Sequence, residues 1–91
     1  MGMDSVELVM EFEDAFDIRL SDAEVVDAHT VGEAHTACVR AVKMQHPDLV
    51  MDDAHRAAMM HRVRLITSEQ LVVDYERTVP EARFVKDLGM Y

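Results

Sequence analysis

The sequence predicts an all-α bundle of three main helices plus one short helix. Apolar residues recur at three- and four-residue steps through most of the chain, the repeat of an amphipathic helix. Gly and Pro are scarce, three and two in 91 residues, and no long alternating apolar run is present to make a strand. Ser or Thr stands three positions ahead of Glu at the start of two segments, the spacing of a capping box. A chain of this length forms one domain, 1–91, with a modest core. With 5% aromatic residues, no Trp and eight Met, that core is expected to be aliphatic and adaptable.

The first helix is expected over about 4–16, with Asp4 and Glu7 in capping-box spacing. Leu8, Phe12, Ala15 and Phe16, with Val9 beside them, form its apolar stripe. Asp4, Glu7, Glu11 and Asp14 form a second stripe at the same steps. Stacked like charges cost a helix a few tenths of a kcal/mol per pair, about 0.2–0.5. They help the fold only through the dipole at the first turn, so recognition of something outside the fold is the better reason for them. A solvated helix face is the plain alternative.

Asp17-Ile18-Arg19-Leu20 reads as a loop with two apolar anchors. Ser21 and Glu24 then open a short helix ending near Ala28. Thr30 and Glu33 open another, to about Met44, with Val31, Ala34, Cys38 and Val42 on one face. Pro47 should stop that helix within a connector at 45–52. A long helix follows to Leu71, with Asp52 and Asp53 at its positive end. Met59, Val63 and Ile66 are expected inward, and Arg56, Arg62 and Arg64 largely outward. From Val72 onward no period is strong. Val73, Val79, Phe84, Val85 and Leu88 suggest a loop pinned to the core, and a loop of that length tends to be functional.

The net charge is −9, and almost all of it lies in the first third. Residues 1–29 hold nine acids against one base, Arg19, whereas the remainder holds nine against eight. Such a face repels nucleic acid and anionic membranes and attracts basic protein surfaces. Cys38 is alone, which excludes an internal disulfide and a cysteine metal cluster. It is expected to be a buried small hydrophobe. His29 and His35 are six apart, as are His55 and His61, and neither step stacks two rings on one helix face. No Ser-His-Asp set or Gly-rich phosphate loop is present, so no catalytic activity is expected. With no signal peptide or membrane span, the expectation is a soluble, cytoplasmic protein.

Val6-Glu7-Leu8-Val9-Met10 and Glu13-Asp14-Ala15-Phe16-Asp17 resemble the partner-recognition helix of the acyl carrier protein family. The match continues through Ile18, Ser21-Asp22 and Thr30-Val31. The segments that precede this helix in the family are found here at the back. Arg62-Val63-Arg64 and Glu69-Gln70-Leu71 resemble the family's first helix, and Ala82-Arg83-Phe84-Val85-Lys86-Asp87-Leu88-Gly89 resembles the run before its prosthetic-group serine. The chain thus resembles a circularly permuted carrier protein: 1–44 the usual second half, 45–52 a connector, and 53–91 the usual first half. Permutation is tolerated where the cut falls in an exposed loop. It would bring both termini to the attachment site.

The resemblance implies a carrier fold and a serine bearing 4′-phosphopantetheine, whose thiol holds an acyl group as a thioester. Met3-Asp4-Ser5-Val6-Glu7 resembles the family's Asp-Ser-Leu motif, which implies Ser5 as that serine. Counting back without gaps from Val6-Glu7-Leu8-Val9-Met10 instead places the position at Gly2, three residues earlier. Either the helix is shorter by about a turn and Ser5 is modified, or Ser5 is a first-turn residue beside an Asp4 cap. Implied partners are a phosphopantetheinyl transferase and basic-surfaced enzymes of fatty-acid or polyketide type. Glu7, Glu13 and Asp14 match the family's recognition acids, Val6 and Met10 its apolar contacts, and Asp4 and Glu11 complete the stripe. The alternative is an unmodified module that binds or regulates such enzymes through the same acidic helix. A monomer is expected, with a domain-swapped dimer as the variant.

Overall fold

The computed structural model describes residues 3–90 and is all-helical, with three main helices and one short one. These are α1 (Met3–Phe16), α2 (Asp22–Asp27), α3 (Val31–Gln45) and α4 (Asp53–Leu71), followed by a 3₁₀ turn at Tyr75–Arg77. No strand forms among the described residues, and one isolated bridge pairs Thr30 with Arg83. Two of the three expected capping boxes form, those at α2 and α3. The Ser21 hydroxyl accepts from Glu24 N and the Glu24 carboxylate accepts from Ser21 N, and Thr30 and Glu33 do the same at α3. Helix α4 is capped by Asp52, whose side chain accepts from His55 N. At α1 the helix starts one residue earlier than expected. Asp4 therefore lies inside its first turn, where a carboxylate complements the dipole. Gly2 lies outside the described residues.

Helix α4 packs against both α1 and α3, and the shared interior holds the core. Leu8 and Phe12 come from α1, Val31, Ala34, Cys38, Ala41 and Val42 from α3, and Met59, Val63 and Ile66 from α4. These are the faces expected from the three- and four-residue steps. Ala15 differs, being exposed at the end of α1. Cys38 is fully buried, and burial pushes its thiol up to about 12, so it is a packing group without thiolate chemistry.

The C-terminal segment is held by main-chain groups of α3, which explains its order without a periodic sequence. Val31 N donates to Ala82 O at 3.0 Å and Gly32 N to Pro80 O at 2.8 Å, while Phe84 N donates to His29 O at 3.0 Å. Two of the free N–H groups at the start of α3 are thus satisfied by the tail. The close approach favours glycine: a Cβ at position 32 would stand 3.0 Å from Pro80 O, so the tail would have to give by a few tenths of an ångström. Phe84 and Leu88 are buried and Val73 packs on the core, as expected; Val79 and Val85 are exposed instead, and Ala82 is buried in addition.

Arg64, expected outward, is half-buried and clamps the tail to α4. Its guanidinium lies 4.1 Å from the Tyr75 ring centre and donates to Tyr75 O at 3.2 Å and to Thr78 Oγ1 at 3.3 Å. The stack and the two acceptors pull in a cation that periodicity alone would leave in solvent.

Val72 caps α4 at φ 54 and ψ 53, a left-handed conformation that strains a β-branched side chain. That side chain is 88% exposed, so removing it loses little packing. Val72→Gly is expected to raise unfolding stability by about 0.5–1 kcal/mol, the relief of strain being partly offset by glycine's freedom when unfolded. Urea denaturation measures it, and a loss of stability would show that the capping geometry carries no strain.

Candidate functional site

Helix α1 has two faces of different character. Leu8 and Phe12 point into the core, with Val9 and Phe16 half-buried beside them. On the other side, Val6 and Met10 are 52% and 56% exposed. Val6, Met10 and Asp14 are four residues apart and make one row; Glu7 and Glu11 make the row next to it. All five are exposed. The outer face therefore presents two apolar side chains bordered by three carboxylates.

Two further acids of the stretch sit at the borders of that face. Asp4 is half-buried in the first turn. Glu13 is half-buried, and its Oε2 accepts from Leu20 N at 2.9 Å, tying the loop after α1 back to the helix. The same loop is held by α3: Gln45 accepts from Arg19 N and donates to Arg19 O, both at 2.8 Å. Leu20 is thereby fixed as part of a wall.

That wall borders a half-open cavity of about 60 Å³ beside Ser5. Ser5 is half-buried in the first turn of α1, and Leu8, Val9 and Phe12 extend the lining inward. Leu20, Val25 and Ala28 close the cavity from the α2 side, Ala34 and Ala37 from α3. Phe84 and Met90 close it from the tail. Glu24, also at its edge, has its carboxyl held below the ordinary range, first by the Ser21 N–H and then by the Ser21 hydroxyl. The rest of the lining is apolar apart from Ser5. Ser5 and Met90, 85 positions apart in sequence, thus face one small apolar space.

Of the sequence-expected residues, the structure brings Val6, Met10, Glu7, Glu11 and Asp14 together on an open face, places Ser5 at the cavity, and turns Glu13 toward the loop. Sequence reasoning missed Ala82 and Met90 in the tail and Val25 in α2. Tail residues have no periodic pattern, and Val25 lies in a helix too short to show one. Among the described residues no group of three His, Cys, Asp or Glu side chains could hold a metal ion. No described helix is long and apolar enough to cross a membrane. No family model, curated protein or solved structure matches the chain.

Proposed function

We propose that the protein is an acyl carrier-like shuttle, with Ser5 as the site of 4′-phosphopantetheine attachment and the outer face of α1 as the surface that delivers the cargo. The observation that carries this reading is the position of Ser5. Its hydroxyl stands in the first turn of a 14-residue helix, directly beside an apolar cavity, with the acidic face on the same helix. The surroundings fit such a group in two respects. The first turn of a helix offers free N–H groups and positive dipole to a phosphodiester, and the cavity offers apolar walls to a short aliphatic segment. Asp4 is the opposing contribution, a carboxylate in the same turn.

When bound, the group supplies a thiol that carries an acyl chain as a thioester. The chain's own residues do the rest. Leu8, Val9, Leu20, Val25 and Phe84 give the cavity apolar walls. Glu7, Glu11 and Asp14 raise the encounter rate with basic surfaces, and Val6 and Met10 supply apolar contact once docked. The proposal includes carrier-type circular permutation, which the facing of Ser5 and Met90 across one cavity supports. Loading by coenzyme A, Mg²⁺ and a permissive phosphopantetheinyl transferase tests the attachment, with Ser5→Ala as the control that must stay unmodified.

A second reading keeps the docking face and drops the attachment: an unmodified module that binds or regulates acyl-handling enzymes. It is favoured by one observation, the ungapped register that points to Gly2 instead of Ser5. The two readings share the partner surface and differ only in the mass of the loaded protein.

A further inference from the structure

The cavity beside Ser5 adjoins a second concavity, also largely apolar but with two cations at its lip. A groove of about 240 Å³ shares Ala28, Phe84 and Met90 with the cavity, and the rest of its lining is His29, Arg83, Val85 and Lys86. The shared residues form a partition between the inner cavity and an outer groove that carries Arg83 and Lys86 at its lip. The outer lip is fixed by main-chain bonds: Phe84 N donates to His29 O at 3.0 Å and Met90 N to Phe84 O at 2.9 Å. Arg83 is partly neutralised by Asp87, which accepts from its backbone N at 2.8 Å and from Nε at 3.4 Å. Lys86 has no carboxylate within 4.0 Å among the described residues. In a chain of net charge −9, two cations, Arg83 and Lys86, here stand against the carboxylate of Asp87, which is held below its ordinary range first by the backbone N–H of Arg83 and then by both cations.

We propose that the two compartments together bind, without a covalent bond, a small anionic amphiphile with an unbranched tail. Its head group sits at Arg83 and Lys86, and its tail passes Phe84 and Met90 toward the cavity. The inner space sets the tail. At about 60 Å³, against roughly 150 Å³ for a cavity that admits benzene, it takes only the narrow end of an unbranched tail, the rest of which lies along the groove. Met90 is the movable part of the partition, an unbranched side chain that repacks at low cost. The lip sets the head, because both carboxylate and phosphate accept charge-assisted hydrogen bonds from Arg and Lys. This site does not depend on modification of Ser5.

The test is amide NMR of the unmodified full chain, titrated separately with hexanoate, hexyl phosphate, hexanol and inorganic phosphate. Saturable shifts are expected in both compartments, at His29, Phe84 and Lys86 and at Leu8, Val9 and Val25, for one or both anionic amphiphiles. The stronger of these two identifies the head group. Hexanol and inorganic phosphate should bind at least about tenfold more weakly, each lacking one of the two contacts. Lys86→Glu, at an exposed position, should weaken the amphiphile about tenfold, with Arg83→Gln acting in the same direction. High salt should weaken binding to the wild type as well, which removes dependence on any one variant. Equal binding of hexanol, shifts confined to one compartment, no saturable binding, or indifference to Lys86→Glu and to salt would each overturn the proposal.

Discussion

Phe12→Ala is expected to lower unfolding stability by about 3–5 kcal/mol, the usual cost of truncating a buried phenylalanine. Phe12 is 3% exposed, belongs to the core cluster, and also lines the cavity beside Ser5. Truncation therefore enlarges a space that is already present instead of opening an isolated one. The fixed walls from Gln45–Arg19 and Glu13–Leu20 limit how far the loop can collapse to refill it. A domain of this size has a total stability of about 5–14 kcal/mol, so the loss is a third or more of it over most of that range. Urea denaturation measures the loss, with Met10→Ala on the exposed face as a control expected within about 0.5 kcal/mol of wild type. A loss below about 1 kcal/mol for Phe12→Ala would mean that α1 is not anchored through this ring.

Reversing the outer face by Glu7→Lys, Glu11→Lys and Asp14→Lys is expected to slow association with a basic-surfaced acyl-transfer enzyme by about 10- to 100-fold at low ionic strength. All three carboxylates are exposed and none takes part in a salt bridge among the described residues, so the fold should be spared. The lysines repel each other along the helix as the acids did, which leaves the local helix energy nearly unchanged. The difference should shrink as salt rises past the point where charges about 8–10 Å apart are screened. Stopped-flow association against salt concentration distinguishes docking from solvation. Equal rates for wild type and variant at every salt concentration would mean that the stripe is a solvated face.

The helices were legible in the sequence because three of them bury a periodic stripe and three carry side-chain caps. Ser21 with Glu24 and Thr30 with Glu33 announce their helix starts within four residues, and both boxes form. The tail was legible only in part. Its order comes from Ala82 O and Pro80 O meeting N–H groups of α3 and from Arg64 stacking on Tyr75. Backbone acceptors leave no trace in a side-chain pattern, and a cation held by a ring reads as an ordinary surface arginine. Hence Val79 and Val85 were expected inside while Ala82 took the buried place. The exposed outer face of α1 was readable, since apolar and acidic residues recur there at helical steps. The cavity was not, because its walls come from four separate segments that only the fold brings together.

The central claim is that Ser5 is the attachment point, and intact mass spectrometry of the wild-type chain tests it most directly. After incubation with coenzyme A, Mg²⁺ and a permissive phosphopantetheinyl transferase, the wild type should gain one phosphopantetheine and Ser5→Ala none. No gain in the wild type, or an equal gain in Ser5→Ala, would contradict it.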